Sequence, residues 1–377
     1  MKNQSIEQHG GLLSRISEQF GITSMVSTYL IPEDTNNFWY SIGGILGIAL
    51  AMQFVTGFIL MFKYVPDAAL AYGITKGMIE SPTWRVILNF HYFNSFVVFA
   101  LLFAHIMRVF ISGAYRGKRK GLWFVGILLG GLLFGIYTTG EALHWDEVGF
   151  AVPWHTSEVL QAIGMEKYFG YDFHDLLAIP SATVKLTQVY AIHISLASII
   201  LALLMVLHFY LIREKKITQP YWMTPSGKEA PFSKHIKIWF IWSGIILGVI
   251  ILVSAFVPRD PGVAPQLLPT SPYFGMHAGP GKLGAKPTWP ISWTHGLNVF
   301  VGEHLGLEPD IWGTVIGVVM LFVSLALIPY VDPGENAPKN FKEVFDFKKR
   351  GYAYLAMSIF WLVFLVGVIQ NMLAGAG

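Results

Sequence analysis

The composition of this 377-residue chain is that of a protein that lies mostly in lipid. Hydrophobic residues make up 54% of the sequence and charged residues only 13%, whereas a soluble domain carries about 25% charged residues. The net charge of +3 is too small to indicate a nucleic-acid partner, and the chain contains no cysteine. Disulfides, thiolate metal sites, iron–sulfur ligation and thioether-linked cofactors are therefore excluded.

Seven segments are long enough to cross a membrane as helices, which takes about 20 mainly apolar residues. They are residues 38–62, 86–112, 121–139, 184–212, 236–257, 311–330 and 352–373. The stretch before them, residues 12–30, has mixed polarity and predicts a helix that lies on the membrane surface. The sequence therefore predicts an all-α integral membrane bundle of about seven transmembrane helices.

Basic residues are concentrated in alternate connections of this bundle. Lysines and arginines cluster after the second, fourth and sixth predicted spans, whereas the connection between the third and fourth is acidic. Because basic loops stay on the cytoplasmic side, we expect the N-terminus inside and the C-terminus outside. The two long outer connections are rich in Pro, Gly and aromatic residues, which is typical of functional loops.

Four of the twelve histidines lie inside predicted spans. His91 and His105 are 14 residues apart in the second span (105 − 91), and His193 and His208 are 15 apart in the fourth (208 − 193). Each pair points to a similar face of its helix, with about 21–22 Å between its members. A single such histidine often only binds a neighbouring helix, but ionisable residues in lipid are usually functional. Imidazole pairs suit low-spin haem, so the sequence predicts two bis-histidine haem sites, one near each membrane surface, in a four-helix core.

Glycines repeat the period of the histidines. Gly43 and Gly57 in the first predicted span are 14 residues apart, and so are Gly126 and Gly140 at the third. Glycine is also common in helix packing within membranes. Two pairs at the histidine spacing nevertheless predict places where a porphyrin presses against a backbone without Cβ.

The motifs around these residues resemble the cytochrome b subunit of the cytochrome bc complexes, of the bc1 and b6f types. The stretches that carry the resemblance are Asn37-Phe-Trp-Tyr before Gly43, His105-x-x-Arg108, Gly140-Glu-Ala-Leu-His-Trp145-Asp146-Glu147, His208-Phe-Tyr-Leu-Ile-Arg213 and Ile328-Pro-Tyr-Val-Asp332. The third resembles the family's outer-loop sequence G-Y-x-L-P-W-D-Q, and the fourth is similar to the b6 form.

The resemblance implies which histidines act together and how the chain is divided. His91 and His193 are expected to bind the outer haem, and His105 and His208 the inner haem, with Arg108 nearby. The implied parts are an N-terminal surface segment (residues 1–36), a b6-like dihaem domain (37–220) and a three-helix domain like subunit IV (221–377).

The resemblance also implies the activity, partners and location. The expected function is that of the dihaem cytochrome b in a multi-subunit quinol oxidoreductase, where electrons pass through two non-covalent b haems between an outer quinol site and an inner quinone site. A Rieske iron–sulfur protein and a c-type cytochrome are the expected partners. We expect a homodimer of such a complex, embedded in the lipid of a bacterial-type inner membrane.

The outer quinol site departs from the family's P-E-W-Y sequence. Its counterpart is Pro287-Thr288-Trp289-Pro290, in which Thr288 replaces the glutamate that would accept a quinol proton, and threonine is no general base at neutral pH. Asp146 and Trp289 are retained and are expected to frame the site. The other candidate bases on this connection are Asp260, His277, His295, Glu303 and His304, of which the prediction favours His295 and Glu303.

Two further departures concern the inner site and the haem surroundings. At the inner quinone site, Lys234 is followed by His235 instead of an acidic residue, and His235 can still donate a proton to reduced quinone. The simpler interpretation is a solvated basic loop at the start of a helix. Arginines expected close to the haem histidines are missing, since Gln188 precedes His193 and only Arg85 precedes His91 nearby.

Two other functions stay open on the sequence. Thr288 favours a variant complex in which the chain is a b-haem electron wire whose outer quinol site is lost or altered. A transporter or channel is the alternative from another class, but transporters bind substrate near the midplane, whereas these histidines lie towards the two surfaces.

Overall fold

The computed structural model describes residues 29–164, 179–264, 286–332 and 334–374. Among these are seven helices long and apolar enough to cross a membrane, here called spans 1 to 7: Phe38–Met61, Pro82–Ile111, Gly117–Ala142, Lys185–Lys215, Phe232–Phe256, Asp310–Val331 and Phe347–Leu373. The prediction of an all-α bundle with about seven spans is confirmed. The predicted surface helix at residues 12–30 and the candidate base His277 lie outside the described residues, apart from the last two residues of the former.

The observed spans begin earlier than predicted where polar residues start a helix. Span 2 begins at Pro82, a residue whose fixed φ suits the first helical turn. Asp346 caps span 7, and its side chain accepts a hydrogen bond from the Lys349 backbone N–H at 3.3 Å. Asn37 caps span 1 in the same way, through Tyr40. Polar caps and charged first turns carry no hydrophobic signal, so the apolar count missed them.

Several spans are assembled from pieces of different helix type. Span 3 starts with the 3-10 turn Gly117–Arg119 and continues as the α-helix Lys120–Ala142. Span 4 consists of the end of the helix Ile179–Ala191, the π-helical turn Ile192–Leu196 and the helix Ala197–Lys215. Span 6 starts with the π-helical Asp310–Ile316 and continues as Gly317–Val331.

Shorter elements connect the spans on both sides. They are strand β1 Leu30–Pro32, the 3-10 turn Glu33–Thr35, the helices Ala71–Glu80, Glu147–Ala162, Ser292–Phe300 and Phe341–Val344, strand β2 Glu229–Pro231 and the π-helical turn Val301–Leu305. β1 and β2 pair antiparallel with Ile31 opposite Ala230. This pairing brings the starts of spans 1 and 5 together on the side predicted to be inner.

Close backbone contact fixes the helix Ser292–Phe300 against span 7. A Cβ on Gly296 would lie 1.7 Å from the carbonyl oxygen of Gly367, and one on Gly367 would lie 2.1 Å from the carbonyl oxygen of Trp293. Neither position has room for any side chain, as at other small-residue contacts between membrane helices. The loop that carries Thr288 leads directly into this helix, so its position depends on span 7.

A buried carboxylate joins the N-terminal and C-terminal parts on the inner side. Asp332 accepts hydrogen bonds from Arg116 (2.6 and 3.0 Å), Tyr115 (2.5 Å) and Arg350 (3.3 Å). Burial alone would raise the pKa of Asp332, but these hydrogen bonds and the two guanidinium charges outweigh it and lower the pKa. Asp332 is therefore ionised and pairs with both arginines, which connects the loop after span 2 to the ends of spans 6 and 7.

Candidate functional site

The structure brings the four span histidines together as two facing pairs. The ring centroids of His91 and His193 are 6.4 Å apart, and those of His105 and His208 are 6.5 Å apart, with an interplanar angle of 72° in both pairs. Two imidazoles that bind one metal from opposite sides, each nitrogen about 2 Å from it, have centroids roughly 6 Å apart. Both pairs therefore have the spacing of axial ligands that share one iron.

Each pair lines a separate cavity between the spans. The cavity around His91 and His193 has a volume of about 290 Å³, and the cavity around His105 and His208 about 710 Å³. Leu50 and Leu133 line both, so the two cavities follow one another along the bundle. Their walls are mainly apolar, as in cofactor sites in general, and the donor set and surroundings fit a haem in each.

Each of the four predicted glycines contacts one of the four imidazoles. A Cβ on Gly43 would lie 2.7 Å from Cε1 of His105, and one on Gly140 would lie 2.8 Å from Cε1 of His193. The corresponding distances are 3.2 Å from Gly57 to His91 and 3.6 Å from Gly126 to His208. These glycines thus make room for the histidine rings themselves; the predicted contact with porphyrin stays a prediction.

Hydrogen bonds fix the rings of the outer pair. Nδ1 of His193 lies 2.9 Å from the carbonyl oxygen of Ile136 and 3.1 Å from Oγ1 of Thr139. Nδ1 of His91 lies 2.9 Å from Oγ1 of Thr56. A histidine that donates from Nδ1 keeps Nε2 free as a metal ligand. In the inner pair, Nδ1 of His105 and of His208 is buried and has no hydrogen-bond partner among the described residues.

A π-helical turn explains how unequal spacings produce matched pairs. His193 lies within the π-helical turn Ile192–Leu196, where the Ala197 N–H bonds to the carbonyl of Ile192, five residues back. Such a turn accommodates one extra residue. The 15-residue spacing of span 4 thereby matches the 14-residue spacing of span 2, and π-turns of this kind are frequent at functional sites.

Arginines line the inner cavity although they are not next to the histidines in sequence. Arg108, Arg119 and Arg213 all contribute to its wall. Arg108 stacks over the ring of Tyr40 at 4.9 Å, and the Nε atoms of Arg108 and Arg119 are buried without a partner among the described residues. Unpaired buried guanidinium nitrogens fit an anionic group, such as a haem propionate.

The two residues proposed for the inner quinone site lie in different surroundings. His235 is 1% exposed, lines the inner cavity with His105 and Arg108, and packs between Phe232 and Trp239. Lys234 is exposed and pairs with Glu33 at 3.6 Å. The solvated-loop interpretation therefore fits Lys234 only.

At the outer end, Thr288 belongs to a short hydrogen-bond chain that ends on a carboxylate. Its hydroxyl donates to Oε1 of Glu141 at 2.9 Å and lies 2.5 Å from the hydroxyl of Tyr137. The Tyr137 hydroxyl also donates to the carbonyl of Trp289 at 3.1 Å. Glu141 is 4% exposed and lines the outer cavity near His193.

The predicted framing residues of the outer site have identifiable structural roles. Asp146 accepts a hydrogen bond from the Gly149 N–H at 2.8 Å, as a helix N-cap does, at the start of the helix Glu147–Ala162. Burial raises the pKa of Asp146 to about 6, with the neighbouring charge of Glu147 adding to the effect. Trp289 packs against the aromatic side chains of span 2, Phe96, Phe99 and Phe103.

The other candidate bases do not belong to the Thr288 hydrogen-bond chain. His295 bonds through Nδ1 to Oδ1 of Asn371 at 2.8 Å, which directs it towards span 7. Glu303 and His304 are exposed on the turn Val301–Leu305, and Asp260 is exposed in a turn that it closes through the Gly262 N–H. The acid or base roles of His295 and Glu303 stay predictions.

Sequence reasoning missed Glu141 and Arg259. Arg259 stacks on Tyr92 at 3.9 Å and donates to the ring of His144 at 3.0 Å, close to the outer cavity. Burial lowers the pKa of His144, and the charge of Arg259 adds to the effect, so that this ring is a neutral acceptor. A signal for Glu141 was present, because it is an ionisable residue beside Gly140 at the end of a span.

Comparison with known proteins agrees with this geometry. The model of the cytochrome b/b6/petB family matches residues 26–216. Cytochrome b6 of Mastigocladus laminosus is 29% identical over 52% of this chain and 90% of that protein. Cytochrome b6 of Porphyra purpurea is 26% identical over 53% and 92%. A chain of a solved "hyperthermophilic respiratory Complex III" shares the fold over 96% of both chains, with a TM-score of 0.68 at 18% identity. The chain is an integral, multi-pass membrane protein of the haem-binding cytochrome b/b6 family.

Proposed function

We propose that the chain is the dihaem cytochrome b of a bc-type quinol oxidoreductase, and that it conducts electrons between an outer quinol site and an inner quinone site. The observation that carries the proposal is the pair of imidazole sites in consecutive cavities, with centroid distances of 6.4 and 6.5 Å. Two carriers along one bundle axis suit transfer across a membrane better than a single buried site does.

The residues of this chain would divide the work by depth. His91 and His193 would hold the outer haem, and His105 and His208 the inner one. When bound, the haems supply one-electron carriers that need no open coordination position. Arg108 would pair with a propionate, and the glycines at positions 43, 57, 126 and 140 would keep the rings in place. The apolar walls exclude water from the path between the cavities.

The domain organisation and membrane orientation are part of the proposal. The family match ends at residue 216, close to the proposed boundary between the b6-like domain (37–220) and the subunit-IV-like domain (221–377). The basic loops favour the N-terminus inside and the C-terminus outside a bacterial-type inner membrane.

Partner subunits are required because quinol oxidation needs a second electron acceptor. The chain has no cysteine to bind an iron–sulfur cluster or attach haem covalently. A Rieske-type iron–sulfur protein and a c-type cytochrome are the partners that the family resemblance suggests, within a homodimeric complex. The Complex III title of the structural neighbour supports this assignment.

A second candidate function rests on Thr288. With threonine in the position of the motif glutamate, the outer site of a variant complex would have lost quinol oxidation, and the chain would serve as an electron wire fed by a partner. The buried carboxylate of Glu141 beside Thr288 favours an active site over this alternative.

Quinol oxidation by the complex purified from its native membrane distinguishes the two functions. We expect added quinol to reduce the outer haem with a soluble c-type cytochrome as final acceptor, because the outer cavity retains a proton acceptor. Haem reduction should be followed by rapid-mixing spectroscopy, with an inhibitor of the inner site present. Reduction of the outer haem only through a partner protein would establish the wire.

The contacts of the glycines predict which alanine substitutions disturb a haem. Gly43→Ala and Gly140→Ala bring a Cβ to within 2.7 and 2.8 Å of an imidazole, whereas Gly126→Ala leaves an ordinary contact of 3.6 Å. Overpacking costs about 1–3 kcal/mol, so we expect roughly 5- to 150-fold weaker retention of the inner haem and of the outer haem, respectively.

Haem retention is measured from the reduced α-band during detergent washing, with Gly126→Ala as the matched control. Equal haem loss from all three variants, or none from Gly43→Ala and Gly140→Ala, would contradict the proposed contacts.

The burial of His235 predicts a proton donor at the inner quinone site. His235→Ala should slow the reoxidation of the inner haem by quinone about 10²-fold or more, since a positioned acid contributes about 10²–10⁴-fold. The spectrum of that haem should not change. The measurement is stopped-flow reoxidation, with Lys237→Ala as control because Lys237 is exposed on the same helix. Unchanged kinetics in His235→Ala would assign this histidine to packing alone.

A further inference from the structure

The outer cavity contains a carboxylate that the family's outer-site motif does not supply. Glu141 lies at the end of span 3, one residue after Gly140, whose backbone contacts the ring of His193. Its side chain is 4% exposed and shares the wall of the outer cavity with Tyr92, His144 and His193. An ionisable group at such a position costs free energy, which is usually maintained only for function.

The carboxylate is held by hydroxyl groups and not by a cation. Oε1 accepts the hydrogen bond of Thr288 at 2.9 Å, and Tyr137 in turn lies 2.5 Å from the Thr288 hydroxyl. Within the part of the chain that the structure describes, no lysine or arginine lies within ion-pair distance of Glu141. A carboxylate without a paired cation readily takes up a proton when it is buried.

The charged and titratable groups around Glu141 come from four elements. Asp146 and Arg259 act on it electrostatically, and Tyr92 and Tyr137 face it from spans 2 and 3. Arg259 is engaged elsewhere, with Tyr92 at 3.9 Å and His144 at 3.0 Å. Asp146 has a pKa raised to about 6 by burial, so a second proton-accepting group follows Glu141 towards the outer connection.

We propose that Glu141 is the base of the outer quinol site, with Thr288 and Tyr137 as its positioning residues. This inference rests on the proposed function. In the step, the O–H bond of one quinol hydroxyl breaks, the electron pair stays on the quinol oxygen, and the proton forms an O–H bond with Glu141. The product is the quinol monoanion, which is easier to oxidise than the neutral quinol. The carboxylate has thus moved from the loop at position 288 to the hydrogen-bond partner of that position.

The test compares Glu141→Gln with the exchange variant Glu141→Gln/Thr288→Glu in the intact complex. Glu141→Gln should lower kcat for quinol oxidation about 10²–10⁴-fold with little change in KM, and the limb of the pH profile that rises with deprotonation should disappear. The exchange variant should regain most of the activity, because the carboxylate returns to the other end of the same hydrogen bond. Glu80→Gln is the control, since Glu80 is an exposed carboxylate in a surface pair with Lys76.

Infrared difference spectroscopy gives a readout that does not depend on turnover. Binding of quinol or of a redox-inert quinol analogue should shift a carboxyl stretching band in the wild type, and this band should be absent from Glu141→Gln. A wild-type rate in Glu141→Gln, or an exchange variant that stays inactive with both haems bound, would overturn the proposal. If Glu141→Gln fails to assemble, the exchange variant alone decides by the same criterion.

Failure of the proposed function itself has a different signature. In that case the wild type does not oxidise quinol, and its carboxyl band does not respond to quinol. A quinol-active wild type whose carboxyl band and rate are unaffected by Glu141→Gln leaves the function standing and refutes only the role of Glu141.

Discussion

The arrangement of this molecule depends on keeping four imidazoles in place inside a bilayer. Each ring is a polar group in an apolar bundle and needs partners that water cannot supply. The outer rings obtain them from Ile136, Thr139 and Thr56 at 2.9–3.1 Å, and a glycine on the neighbouring span gives each ring its space. Spans 1 and 3 are thereby fixed relative to spans 2 and 4, since any residue larger than glycine at positions 43 and 140 would separate them.

The C-terminal part has a different task, which is to position the loop at Thr288. The backbone contacts of Gly296 and Gly367 fix the helix that follows this loop on span 7. On the opposite side, Asp332 connects span 7 to the N-terminal part through Arg116 and Arg350. Removing one member of such a buried network leaves uncompensated charge, at a cost of about 3–5 kcal/mol. The Thr288–Glu141 hydrogen bond therefore joins two separately anchored parts.

Much of this structure follows from local patterns in the sequence. The spans were predictable because apolar length is a sufficient condition for crossing a membrane, and the histidine pairs because a repeat of 14 or 15 residues returns to one helix face. The ends of spans 2 and 7 were not, because capping by Ser81 or Asp346 carries no hydropathy signal. The π-helical turn at His193 also escaped, since only the mismatch of spacings hinted at it.

The outer site shows where sequence reasoning is least effective. His295 and Glu303 were favoured because they share a connection with Thr288, but His295 binds Asn371 and Glu303 is exposed. Glu141 is 147 residues away from Thr288 in the chain and lies next to it in the fold. Proximity along the chain says little about proximity across a bundle, and only the packing of span 3 against the loop brings the carboxylate and the hydroxyl together.

The central claim is that each carrier is held by one histidine from span 2 and one from span 4. Reduced-minus-oxidised spectra of four single variants, combined with redox titration, test it most directly. His105→Leu and His208→Leu should lose the same spectral component and keep the other, and His91→Leu and His193→Leu should do the reverse. Loss of one common component from His91→Leu and His105→Leu, two ligands on the same helix, would contradict the account.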